Sequence, residues 1–236
     1  MSPEALVAHA ASQGLKIVGI TDHDTTSGVA AAQAHAQTCG VTVVPGVEIS
    51  AVSGKEEVHL LGYFVDLDNP ELQATLARTC EARRERAREM LARLTRLGMP
   101  LEWDRLLQVA GGGSAIGRPH VAAALIEAGH IEHWEEAFER WIGRDCPAYV
   151  ERYKLSPEEA IALVRRSGGL TVLAHPYIYS RLGERRHGLN LKIWLPRLCA
   201  AGLAGIEIYY PNYPRDASRH LLSLAIKHKL VITGGS

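Results

Sequence analysis

The chain has 236 residues, 47% hydrophobic and 22% charged, a composition that supplies an apolar core and fits one large domain or two small ones. Lysine plus arginine equals aspartate plus glutamate at 26 each, so no global field draws in a polyanion and stable binding to duplex DNA is not expected. No apolar run approaches the ~20 residues of a membrane span, and the first residues lack the basic start and cleavage pattern of a secretory leader, which points to a soluble, cytoplasmic protein.

Ser2-Pro3-Glu4 reads as a helix start, with serine as N-cap and proline in the first turn, and Gly14 as the stop, giving a first helix over 3–13. A β-type run over 16–21 follows, then a helix over 28–39 closed by Gly40, a run over 41–47 and a third apolar run over 58–65. The last two runs can form a hairpin.

From 70 to 143 the strand pattern gives way to helices. Leu76, Cys80, Ala87, Met90, Leu91, Leu94 and Leu97 form an apolar stripe at helical spacing, with Arg83, Arg84, Arg86, Arg88, Arg93 and Arg96 mostly off it. Glu85 with Arg88 and Glu89 with Arg93 have ion-pair spacing. A solvated basic face is the simpler reading of these arginines, and contact with a nucleotide backbone is the alternative.

Alternation resumes at Ser156-Pro157-Glu158-Glu159, a capping box that opens a helix ending at Gly168-Gly169. A strand over 170–174, a helix over 191–201, a strand over 205–209, a helix over 215–227 and a strand over 230–233 complete the order. The simplest architecture is a (β/α) barrel-like domain interrupted by helices, in which residues 1–69 open the barrel, 70–147 form a helical insertion and 148–236 continue the barrel. The four cysteines, Cys39, Cys80, Cys146 and Cys199, show no C-x-x-C pair and read as reduced thiols.

In a parallel α/β barrel the strands' C-terminal ends converge on one mouth. Here the first run ends in Asp22-His23-Asp24 and the second in Glu48, while His59 sits within the third. Later runs end in His175-Pro176, Tyr209-Tyr210-Pro211 and Gly234-Gly235-Ser236. Each residue taken singly has a structural explanation. Gathered at one mouth, His23, Glu48, His59 and His175 would be costly to bury without a cation, and imidazole with carboxylate suits manganese, iron or zinc. In the insertion, the glycine-rich stretch 111–129 carries Gly117-Arg118-Pro119-His120 at a predicted helix start, a place suited to an anion, with the arginine fork matched to phosphate.

These residues carry a family resemblance. "ITDHDTTSG" (20–28), "VVPGVEIS" (43–50), "VHLLGYFVD" (58–66), "IGRPHVA" (116–122), "AYV" (148–150), "TVLAHP" (171–176) and "GIEIYYP" (205–211) run in the order of the PHP-domain (polymerase and histidinol phosphatase) phosphoesterases. The chain is most similar to the group that acts on nucleoside 3′,5′-bisphosphates and RNA 5′ ends. The resemblance implies a distorted (β/α)7 barrel and two or three divalent metal ions, manganese first, zinc or iron otherwise. It implies hydrolysis of a phosphate monoester or terminal phosphodiester by metal-activated hydroxide, on a phosphorylated nucleotide or short oligonucleotide.

Carried over by motif, His23, Glu48, His59 and His175 are the expected metal ligands, with Glu48 bridging two ions. Asp22 and Asp24 are expected to orient His23 or water, and Arg118 and His120 to contact substrate phosphate. Glu207 and Tyr209, which face the barrel interior if their strand alternates regularly, are further candidates for substrate contact.

The family begins with a strand bearing His-x-His and continues "GGS" into Asp-x-His. Against that pattern the chain is expected to be a truncated form, lacking the first strand and the closing C-terminal elements. The alternatives are a non-catalytic remnant that binds metal or phosphate weakly and a histidinol-phosphatase-like activity. A metal-dependent carbon–nitrogen hydrolase is disfavoured by Gly-Arg-Pro-His, and a polymerase-associated proofreading module by the neutral charge.

Overall fold

A computed structural model of the protein describes residues 1–54, 56–112, 115–179 and 185–235. Ser236 and residues 113 and 114 of the glycine-rich stretch lie outside the described residues. The chain divides into two units, Met1–Ala74 with Lys154–Ser236, and Thr75–Tyr153.

The first unit opens on helix α1 (Pro3–Ser12), where Ser2 Oγ accepts the Ala5 N–H at 3.2 Å and so satisfies an amide the helix cannot. Strand β1 (Ile17–Ile20) leads to helix α2 (Val29–Cys39), which stops where Gly40 takes φ 63°, a conformation that favours glycine. Strand β2 (Thr42–Ser53) and strand β3 (Glu56–Tyr63) form the expected hairpin. Val7, Ile20, Val29, Ala32, Ala36, Val41 and Val43 bury one face of β1 and β2 beneath α1 and α2. Helix α3 (Pro70–Arg96) then carries the chain from the first unit into the second.

The second unit is helical. Beyond α3 it holds α4 (Trp103–Val109), α5 (Arg118–Glu127), the single turn α6 (Trp134–Glu136) and a π-helical turn over Ala137–Trp141. Gly143 is required there, because a Cβ would lie 1.8 Å from the Phe138 carbonyl oxygen. Met90, Leu94, Leu106, Ile116, Leu125 and Ile142 are the largest fully buried side chains of its core. The arginines of α3 do not form a uniformly solvated face. Arg88 and Arg96 are exposed, but Arg83 and Arg86 are 6% and 8% exposed. A helix packed on more than one side buries the long stems of residues that lie off its apolar stripe. Glu89 pairs with Arg93 at 3.0 Å as its spacing predicts, whereas Arg88 reaches Glu81 at 3.4 Å.

Back in the first unit, α7 (Pro157–Arg166) begins with the predicted capping box. Ser156 Oγ accepts the Glu159 N–H at 3.3 Å, and the Glu159 carboxylate accepts the Ser156 N–H at 2.8 Å. Strand β4 (Leu170–Leu173), the ribbon β5 (Tyr177–Tyr179) and β6 (Arg185–Gly188), helix α8 (Leu191–Ala201), strand β7 (Gly205–Tyr209), helix α9 (Arg215–His228) and strand β8 (Val231–Gly234) follow.

The main sheet is a curled half-barrel of six strands in the order β1-β2-β3-β4-β7-β8. It is not wholly parallel. β3 runs antiparallel to β2 and β4, while β1/β2, β4/β7 and β7/β8 are parallel. The cause is the tight β2–β3 connection, which has no room for a crossover helix and so reverses the strand. Among the described residues no helix is long and apolar enough to cross a membrane, and no disulfide joins any of the four cysteines.

Candidate metal centre

Four sheet neighbours each bring one histidine or glutamate to the same place. β1 pairs in parallel with β2 up to Ile20 opposite Pro45, and the chain beyond it stays alongside. The Glu48 N–H donates to Asp22 O at 3.0 Å and the Asp24 N–H donates to Glu48 O at 2.8 Å, so His23 bridges directly to Glu48. On the other side of β2, Glu48 faces Leu61 and Ser50 faces His59, which places Glu48 and His59 diagonally on one sheet face. His59 stands mid-strand, and so does Glu48, because β2 runs on to Ser53 instead of ending before Glu48 as its apolar run predicts. The Ala174 N–H donates to His59 O at 3.0 Å and so sets His175 just beyond β4.

The side chains converge on one atom. Glu48 Oε1 lies 2.8 Å from His59 Nδ1, 3.1 Å from His175 Nε2 and 3.7 Å from His23 Nδ1. His59 Nδ1 and His175 Nε2 are 3.3 Å apart. The His59 ring meets the His23 and His175 rings edge-on, with centroids 4.9 Å and 5.0 Å away. The Glu48 side chain is 14% exposed, and His23 is the most open of the cluster at 43%.

Burial opposes the Glu48 charge, yet hydrogen bonds from His175 and His59 and the fields of His23 and His59 outweigh it and hold the carboxyl well below the usual range. Burial likewise works against a charged His59, but Glu48 and Glu57 on its two nitrogens raise it to about 9. So many lone pairs in one place are held together by a positive charge, supplied by a proton when no metal is bound. The donor set of imidazole nitrogens and one carboxylate oxygen fits manganese, iron or zinc. Among the described residues, His23, Glu48 and His59 offer ligand atoms within 4.8 Å of one another.

The neighbouring groups act on this cluster in distinct ways. Asp24 is fully buried at φ 53°, and its Oδ1 accepts the Ser50 N–H at 3.1 Å, which ties the His23 segment to β2. Asp22 is exposed, and partial burial together with the Glu48 charge raises its carboxyl. Glu207 is 3% exposed, and its Oε2 accepts the His175 N–H at 2.7 Å. Burial, helped by the Glu48 charge, raises its carboxyl and outweighs the hydrogen bond from the His175 N–H, which works the other way.

Tyr209 is 60% exposed, whereas Tyr210 lies against the His175 ring at 5.1 Å. The β7/β8 register slips between Glu207 and Tyr209, so strict alternation does not continue to the end of that strand. Tyr63, opposite Gly46, is pushed up to about 12 by burial and by the Glu207 and Glu48 charges. Tyr210, Tyr63, Glu57 and Lys154 do not stand out in the sequence as site residues. Only Tyr210, inside Tyr-Tyr-Pro, carries a local signal.

Arg118 and His120 belong to the second unit. The Arg118 guanidinium lies 6.0 Å from the Phe138 ring and 5.9 Å from the Tyr149 ring. His120 Nδ1 accepts the Gly117 N–H at 3.0 Å, so its proton sits on Nε2. Burial, with the nearby Arg83 charge, lowers its pKa and keeps the ring neutral.

The PHP domain family model matches residues 1–141. Over its whole length the chain is 35% identical to the 5′-3′ exoribonuclease Rnm of Salmonella typhimurium, covering 79% of that protein. It is 31% identical to the 3′,5′-nucleoside bisphosphate phosphatase of Chromobacterium violaceum, covering 81% of it. A solved structure from Bifidobacterium adolescentis, of a proposed metal-dependent phosphoesterase, superposes with a TM-score of 0.88 at 35% identity. That alignment takes in all of this chain and 81% of the other.

Proposed function

The chain belongs to the PHP-domain family, and from that premise we propose that it is a metal-dependent phosphoesterase acting on nucleotides, either 3′,5′-bisphosphonucleosides or short RNA 5′ ends. The observation that carries this reading is the approach of three imidazoles to Glu48 Oε1, at 2.8, 3.1 and 3.7 Å. His23, Glu48, His59 and His175 would hold two or three divalent ions, manganese first. Such ions, when bound, supply a Lewis acid for phosphoryl oxygens and lower the pKa of water.

The chain's own residues do the positioning. Asp24 fixes the His23 segment against β2, and Glu207 fixes the His175 backbone. Asp22, with its raised carboxyl, is suited to accept or return a proton near the cluster. Within the second unit, Arg118 and neutral His120 offer a guanidinium fork and an Nε2–H suited to contact substrate phosphate.

The test is a hydrolysis screen with manganese over 3′,5′-bisphosphonucleosides, 5′-phosphorylated short RNAs, mononucleotides and histidinol phosphate. Turnover of the first two classes is expected, and Glu48→Gln is expected to abolish it with an unchanged circular dichroism spectrum. Preference for histidinol phosphate would overturn the nucleotide reading. Undiminished hydrolysis by the Gln variant would overturn the role given to Glu48.

A further inference from the structure

Glu57 and Lys154 are far apart in sequence and neither belongs to the ligand set, yet both end beside His59. Alternation along β3 puts Glu57 on the same sheet face as His59. Lys154 is brought in by the residue after it. The Val52 N–H donates to Leu155 O at 2.8 Å, and Leu155 forms a bridge with Ala51 on the edge of β2 opposite β3. That bond pins the backbone, and the Lys154 side chain, 2% exposed, sets its Nζ 3.0 Å from Glu57 Oε2. The other carboxylate oxygen, Oε1, faces His59 Nε2 at 3.6 Å.

An ammonium–carboxylate pair with its lysine buried and its glutamate partly so is an inefficient way to gain stability, because well-packed apolar residues of similar volume do as well or better. Its placement against His59 supplies a different reason for its presence. The imidazole has Glu48 on its Nδ1 side and Glu57 on its Nε2 side. A neutral histidine carries one proton, and whichever nitrogen keeps it cannot offer a lone pair to a cation. An anion held at Nε2 draws the proton there and frees Nδ1 for the site shared with Glu48 and His175. Lys154 keeps that anion in place and neutralises it.

We infer that the Lys154–Glu57 ion pair positions His59, fixing the Nε2–H form of the ring so that Nδ1 is the metal-binding atom. This rests on the metal reading proposed above. Glu57 and Lys154 are positioning residues that act through His59.

The experiment measures manganese affinity by calorimetry for the full chain and for Glu57→Gln, Glu57→Leu and Lys154→Met, with zinc-loaded, 15N-histidine-labelled samples examined by NMR. Glu57→Leu is expected to weaken binding about 10- to 100-fold, and Glu57→Gln, which keeps an oxygen acceptor, to weaken it less. The His59 Nε2–H signal should persist in the wild type and the Gln variant and be lost in the Leu variant, a change that mere loss of packing does not produce. If Glu57→Leu does not fold, Lys154→Met and Glu57→Gln decide, since at least one must bind more weakly than the wild type. Wild-type affinity in every folded variant, or a His59 proton on Nδ1 in the loaded wild type, overturns the inference. A wild-type chain that binds no manganese or zinc overturns the metal reading itself.

Discussion

Asp24→Ala tests whether the cluster depends on the strut that ties the His23 segment to β2. Two costs can be read from the structure. The first is the bond from Ser50 N–H to Asp24 Oδ1 at 3.1 Å. Ser50 is 2% exposed, so losing the carboxylate strands a buried donor, and hydrogen bonds to charged groups contribute about 1.5–3 kcal/mol. The second is the backbone at φ 53°, which aspartate tolerates and alanine does not, at about 1 kcal/mol more. Together they come to about 3 kcal/mol, which for a chain of this length lowers the melting temperature by roughly 6–12 °C. Asp24→Gly removes only the first cost and should lose about 2 kcal/mol. Asp24→Asn keeps an acceptor and the left-handed tolerance, and should lose about 1 kcal/mol or less. Differential scanning calorimetry of the three variants checks the order. If Ala melts within about 1 °C of the wild type, or if Asn is as damaging as Ala, Asp24 is not the strut described.

Gly46→Ala should destabilise by about 1–3 kcal/mol and weaken manganese binding, because its Cβ would stand 2.7 Å from Thr21 Cγ2 and 2.8 Å from the Gly62 carbonyl oxygen, two residues before Glu48. Unchanged urea midpoints and affinity would show that the strands yield there. His120 gives a pH-dependent effect. Its folded pKa lies below 6.5, so its contribution is complete above that value and is lost as pH falls from 6.5 through the folded pKa, where the unfolded chain takes the proton first. The stability gap between the wild type and His120→Leu, from urea unfolding, should therefore shrink between pH 7.5 and pH 5. A gap that does not change with pH would refute the Gly117 N–H to Nδ1 assignment.

What was legible in the sequence was whatever a few adjacent residues decide. Ser2-Pro3 and Ser156-Pro157-Glu158-Glu159 start helices because their side chains satisfy amides within one turn, and α8 falls on 191–201 as its pattern predicts. His23, Glu48, His59 and His175 stand out because an imidazole or a carboxylate within or just after an apolar run needs a partner. What depends on contacts between distant segments was not legible. The burial of Arg83 and Arg86 reflects packing around α3 that its apolar stripe does not encode. The placement of Tyr210 rather than Tyr209 against His175 follows from a register slip between β7 and β8, which no single-strand pattern reveals. The pairing of Lys154 with Glu57 depends on a backbone bridge between Ala51 and Leu155.

The reversal of β3 is the consequential departure from a parallel barrel, because it determines how the ligands line up. In sheet order, β1 leads to His23, β2 carries Glu48, β3 carries His59 and β4 leads to His175, one from each of four neighbours. Had β3 run parallel, a helical crossover would have been needed between it and β2. Running antiparallel, it offers a mid-strand histidine on the same face as Glu48, diagonal to it across the hairpin. A one-residue slip of that hairpin would turn His59 to the opposite face and remove the nearest partner of Glu48. The hairpin pairing, from Ser53 opposite Glu56 to Gly46 opposite Tyr63, therefore sets the register of the site as well as that of the sheet.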